Sequence, residues 1–266
     1  MHALVHPWTL GFMQRALLEL LLVGIVGGVL GCWVVLYELS YSAESLAHSL
    51  FPGLVVAALL GFPLVLGGAL GVVAAALSVA LASRAPGIDR DTAVAIVITS
   101  LFGLGVLIAL APASPPGLET LLFGDLLGVT GSDLATAAGL AGAVLLGVAL
   151  LYRQLLAVGF DRGSARALGA RPLFVDLSLL ALIAAATLIA VRGLGNLLVV
   201  AVLVAPAATA RLLGRRLLTT MALGVAVAAA CSVGGLYLSY YSSTAGGASV
   251  AGLLVVVYMS VRLVRR

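Results

Sequence analysis

The pattern of hydrophobic and polar positions is a series of long apolar runs broken by short polar clusters. Runs occupy 17–36, 46–61, 64–83, 92–111, 133–152, 173–191, 196–213, 218–240 and 248–263, most of them near the ~20 residues an α-helix needs to cross a bilayer core. The run at 46–61 is short for a crossing, so it is expected to be tilted, kinked or partly inserted. Gly24, Gly27, Gly28 and Gly31 give the first span two overlapping small-xxx-small faces for close helix approach. Ahead of it, Trp8, Leu10, Phe12 and Met13 mix with Gln14 and Arg15, which predicts a short interfacial helix over residues 1–16 with Trp8 at headgroup level. Residues 17–266 then form the membrane domain.

The breaks between runs carry turn and cap signals. Gly61-Phe62-Pro63 separates two runs, the stretch from Arg84 to Asp91 is a loop whose Asp91-Thr92 can cap the next helix, and Pro112 to Pro116 is a proline-rich break. The segment 119–125 is amphipathic but too short and too polar to span. Residues 153–171 are the most polar part of the chain. Within them Phe160 to Gly169 predicts a short surface helix, with Asp161 as N-cap and Gly169 as a left-handed stop. A capped helix lying between two spans, outside the hydrocarbon, is a candidate docking element. Asn196 opens a later run, and Pro206 inside that run frees a carbonyl near Val202, which either lines a path or is satisfied again by neighbouring helices.

Composition removes the alternative of a water-soluble fold. The 266 residues are 63% apolar and 9% charged, against roughly 25% charged in an ordinary soluble domain. The chain is therefore an all-α, polytopic membrane helical bundle of about eight or nine transmembrane helices. All 14 basic residues are Arg and the net charge is +4, an excess that reports topology and not a nucleic-acid patch. Arg153, Arg162, Arg166 and Arg171, then Arg211, Arg215 and Arg216, then Arg262, Arg265 and Arg266 recur every second span, which puts ten of the 14 on the cytoplasmic side. If every run crosses there are nine spans and the N-terminus is outside; if one does not, there are eight and it is inside. Cys32 and Cys231 sit singly in apolar runs and read as small buried hydrophobes. Arg15 precedes an apolar segment without a cleavage site, so that segment is expected to be retained.

One stretch carries chemistry: Tyr37 to Gly53, with Glu44, His48 and then Pro52. A separation of four is about 40° beyond one helical turn, so Glu44 and His48 project from one face and can meet one ligand together. A carboxylate with a neutral imidazole suits divalent first-row metals, and ionisable groups at membrane depth usually face a bundle interior or a watery path. Pro52-Gly53 would bend or break the helix and free carbonyls there. Spacing alone fits equally well a plain structural pair at a helix start.

Taken together, the stretch ending in Glu44-xxx-His48 and Pro52-Gly53, Asp91-Thr-Ala-Val-Ala-Ile-Val, Phe123-Gly124-Asp125, Phe160-Asp161 through Gly169, Asn196 through Thr209-Ala210, and Gly246-Gly247-Ala248 resemble the permease family of ATP-binding-cassette importers for zinc, manganese and iron, from about residue 15 to the C-terminus. The resemblance implies a type II importer permease, similar to the vitamin-B12 importer, working as a homodimer in a prokaryotic cytoplasmic membrane. It implies a cytoplasmic ATPase dimer below, an extracytoplasmic metal-binding protein above, and no permanently bound cofactor, the metal ion being cargo. Glu44 and His48 become metal ligands, although the family's usual acid at the first position is Asp and its basic residues after the first span are replaced by Tyr37-Glu38. Asp161, Arg162, Ala165, Leu168 and Gly169 fall in the coupling helix that meets the ATPase, and Ser40, Asn196, Pro206 and Thr209 are candidate path-lining positions. No GxxxxGK[ST] is present, so the chain is expected to be non-catalytic and to rely on a separate ATPase. A rival reading is a secondary transporter or channel using Glu44 and His48 as a proton or ion relay. An intramembrane enzyme is poorly supported, since neither an acid–His–Ser order nor HExxH occurs.

Overall fold

Lipid offers no partner to a free N–H or C=O, so each apolar run has to satisfy its backbone internally and becomes a helix. The computed structural model describes residues 6–85, 90–167 and 169–265, apart from the side chains of residues 6, 90 and 91. A 3₁₀ turn, His6–Thr9, precedes α1 (Gly11–Leu36), α2 (Ser40–Leu60), α3 (Leu64–Ala82), α4 (Arg90–Ala109), the one-turn α5 (Thr120–Phe123), α6 (Gly131–Phe160), the short α7 (Arg162–Ala167), α8 (Pro172–Leu194), α9 (Val199–Leu213), α10 (Leu217–Ser242) and α11 (Gly246–Val264). Among the described residues eight helices are long and apolar enough to cross a membrane, and α9, with 15 residues, is a shorter apolar helix. This is the all-helical, multi-pass architecture read from the runs.

Three boundaries differ from the expectation. Within the described part of the N-terminal piece, α1 begins at Gly11 and runs unbroken into the first span, and Trp8 is tied down by donating from Nε1 to Tyr237 Oη at 2.6 Å. The short run at 46–61 is the second half of a 21-residue helix that starts at Ser40 and includes Glu44 and His48, so it is long enough to cross. Pro52 lies inside that helix without ending it. The short element is instead the run at 196–213, because residues 195–198 leave the helix and only Val199–Leu213 is helical. The expected Asp91 cap and the loop at 86–89 fall outside the described residues.

The core forms around α1, which packs on α10, α9, α6 and α8. The glycine stripe makes this possible. A Cβ on Gly28 would run into the Val225 backbone N, and one on Gly31 into the Leu203 carbonyl, so the helix axes approach as closely as backbones allow. Trp33 is fully buried on the same helix, edge-on to Tyr37 and Tyr152. At one end of the bundle Tyr37 Oη donates to the Leu155 carbonyl at 2.7 Å and Arg211 to the Val35 carbonyl at 3.1 Å. The recurrent arginines share this end, which the positive-inside rule makes cytoplasmic. Trp8, Asp133 and Arg192 belong to the other. The first helix starts at the end that carries Trp8 and finishes at the end that carries Tyr37.

Filling the stripe is expected to cost stability. Gly28→Leu should lower the thermal midpoint of the purified protein and its yield in the membrane, the overpacking penalty being ~1–3 kcal/mol or more. Gly139→Ala, at a position with nothing within 4 Å, should leave both unchanged.

Candidate functional site

Ser40, Glu44 and His48 stand on three successive turns of α2, the first two exposed and His48 half-buried. His48 Nε2 lies 3.9 Å from Glu44 Oε1. This is the facing pair that the spacing predicted, too far apart to be a tight ion pair and open on one side. The other ring nitrogen meets a residue 148 positions away: Asn196 Nδ2 is 3.5 Å from His48 Nδ1. Asn196 is 1% exposed and its Oδ1 has no partner among the described residues. Phe102 of α4 closes the remaining face of the imidazole, ring centroids 4.4 Å apart, and stacks in turn against Phe51. Pro52, four residues on, has no N–H to give the His48 carbonyl, so the helix leaves that oxygen without its usual donor. A carboxylate on one side of the imidazole and an amide on the other thus flank His48. Among the described residues no group of three His, Cys, Asp or Glu side chains converges.

Asn196 reaches His48 because the irregular chain between α8 and α9 is bonded to the segment 121–125. Asn196 N donates to the Leu121 carbonyl at 2.9 Å, Leu197 N to the Leu122 carbonyl at 3.3 Å, and Asp125 N to the Arg192 carbonyl at 3.0 Å. Gly124 and Gly195, with φ of +78° and +75°, make this clasp: a Cβ on either would collide with the backbone of the other segment. The one-turn α5 is therefore the surface on which the Asn196 turn is seated.

Pro206 and Thr209 have a different surrounding. Both are buried, Thr209 donates to the Ala205 carbonyl of its own helix at 2.8 Å, and Gly27 lies against the Val202 carbonyl that Pro206 leaves free. Packing of α9 on α1 accounts for these residues, and no contact brings them to His48.

At the cytoplasmic end Asp161 ends α6 and caps α7. Its carboxylate accepts from Gly163 N at 2.9 Å, from Ser164 N at 3.2 Å and from the Ser164 hydroxyl. These bonds, the hydroxyl's foremost, hold the carboxyl below the ordinary carboxylate range. Arg162 makes a two-pronged pair with Asp176 of α8, at 2.8 and 3.0 Å. Ala165 is buried at the joint, and Gly169, φ +82°, turns the chain while Ala170 N donates to the Ala165 carbonyl at 2.9 Å. Leu168 lies outside the described residues. Sequence reasoning did not find Phe102, nor the joining of Asn196 to His48, which only tertiary structure creates. It also missed Glu19, whose signal was a lone acid flanked on both sides by leucines.

A multi-pass helical bundle with an acid–imidazole–amide site on an interior helix and a capped helix at its cytoplasmic end defines a membrane transport permease. Residues 9–265 match the ABC 3 transport family, and the chain belongs to it: it is a membrane permease of the ATP-binding-cassette transporters, in a prokaryotic cell membrane. It is 33% identical over 248 residues to the manganese transport system membrane protein MntC of Listeria innocua, covering 93% of this chain and 89% of that one. It is 29% identical over 256 residues to the chelated iron transport system membrane protein YfeC of Yersinia pestis, covering 96% and 87%. Among solved structures it is similar to PsaBC from Streptococcus pneumoniae in complex with Fab, with a TM-score of 0.89 at 30% identity over 95% of this chain and 91% of that one.

The Asp161 cap gives a test with a definite sign. Because the folded carboxyl is depressed, the stabilisation is fully present above the ordinary carboxylate pKa and is lost only as pH falls through the lowered value. Amide exchange in 162–167 should stay slow through the ordinary carboxylate range, and Asp161→Ala should exchange fast at every pH.

Proposed function

We propose that this chain is the membrane subunit of an ATP-driven importer that carries a divalent transition-metal ion past Glu44 and His48 by alternating access. The reading rests on the placement of Glu44 and Asn196 on either side of the His48 imidazole. Manganese is the foremost cargo, because MntC of Listeria innocua and ScaB of Streptococcus gordonii, both similar to this chain, are manganese proteins; iron follows from the YfeC likeness, and zinc suits the same ligand types. Two copies of the chain facing one another would complete a shell that a single copy leaves open, with water filling the rest. An open and incomplete shell favours release, whereas a closed set of ligands would trap the ion.

The driving force enters at α7. Exposed Phe160 and Leu173 flank this helix, which supports its being covered by a cytoplasmic ATPase that closes on ATP. Arg162 transmits the motion to Asp176, near the start of α8. The 23 residues of α8 form a rod of roughly 35 Å that ends at the Asn196 turn, so a push at the cytoplasm arrives beside His48. An extracytoplasmic metal-binding protein would deliver the ion to the opposite end.

Uptake of radiolabelled manganese by cells carrying the permease with its ATPase is the test. His48→Ala and Glu44→Ala should each reduce uptake at least ~10-fold, the loss of about 1.4 kcal/mol of binding, while the ATPase still co-purifies. Arg162→Ala should leave metal binding intact and lower the uptake obtained per ATP hydrolysed. Full uptake by both α2 variants would remove the pair from the path, and uptake without any ATPase would favour the relay reading.

A further inference from the structure

Glu19 is 2% exposed in the outer half of α1, and one of its carboxylate oxygens, Oε2, has no partner among the described residues. The Gly193 N–H donates to the same carboxylate, which holds it in place without exhausting it. A buried acid left half-satisfied is costly, and α1 places this one on a cavity of about 340 Å³ at the extracytoplasmic end, lined also by Ser132, Asp133, Thr136 and Arg192. Asp133 is pinned there: its Oδ2 accepts from Thr130 N at 3.1 Å and from Thr130 Oγ1 at 2.6 Å, capping α6. Its Oδ1 is turned to the Arg192 guanidinium. That guanidinium is half-exposed, and its charge acts on Glu19 as well. The cavity therefore holds two acids, two hydroxyls and one half-exposed arginine side chain.

We propose that this cavity is an entry site for a divalent cation, where Arg192 holds the place of the metal until the ion arrives and swings out to the water as Glu19 and Asp133 take the ion up. The proposal rests on the reading of the chain as a metal importer. Carboxylate and hydroxyl oxygens with water fit a hard, hydrated ion, manganese before zinc. An ion held only by oxygens keeps part of its water and leaves again readily. Gly193, bonded to Glu19, stands at the end of α8 three residues before Asn196, so a short stretch of chain joins the entry site to the His48 site.

Equilibrium manganese binding to the purified permease–ATPase complex in lipid nanodiscs separates the two sites. His48→Ala should keep a bound manganese that Glu19→Gln combined with His48→Ala lacks. Arg192→Gln should tighten the remaining site about tenfold, a gain that misfolding cannot produce. Equal binding by His48→Ala and the double variant, or unchanged affinity in Arg192→Gln, would overturn the entry site and leave the His48 reading standing. Loss of an ion in Glu19→Gln, with His48→Ala binding as the native chain does, would do the reverse.

Discussion

Irregular backbone at membrane depth survives only where each N–H and C=O it frees finds a partner inside the protein. The turn between α8 and α9 meets that condition through three backbone bonds to the segment 121–125. Everything said of the interior site depends on this clasp, because it alone sets Asn196 beside His48. Two glycines in the left-handed region make the segments close enough to bond, and α5, only four residues long, exists to offer the other half of the ladder.

The glycine contacts of α1 serve the same end by another route. Hydrophobic burial gives no preference for one helix over another in lipid, so close backbone approach and polar contacts decide which helices associate. Gly27, Gly28 and Gly31 bring α9 and α10 against α1, fixing the frame in which α8 runs from the Arg162–Asp176 pair to the Asn196 turn. A helix held at both ends by polar contacts, and otherwise in hydrocarbon, is suited to move as one piece.

Much of this was legible in the sequence. The runs gave the helices, the arginines gave the ends, and Glu44, His48 and the Asp161 cap could be named because their partners lie within four residues on one helix or turn. Where the reading went astray the cause was physical. Residues 40–45 fall outside the apolar run because hydropathy drops there, yet α2 starts at Ser40 and carries those polar groups. Residues 196–198 open an apolar run, yet Gly195 and the bonds to α5 keep them out of the helix. The Asn196–His48 contact and the Glu19, Asp133 and Arg192 grouping join residues tens to hundreds of positions apart, and no local pattern carries that information.

The central claim is that the imidazole of His48 enters the coordination shell of the transported ion. Pulsed electron paramagnetic resonance of manganese bound to the reconstituted permease–ATPase complex, with the histidines isotopically labelled, reads this directly. The account expects a nitrogen hyperfine coupling from the labelled ring that vanishes in His48→Gln. A bound manganese ion without any histidine coupling, or a coupling that persists in His48→Gln, would contradict it.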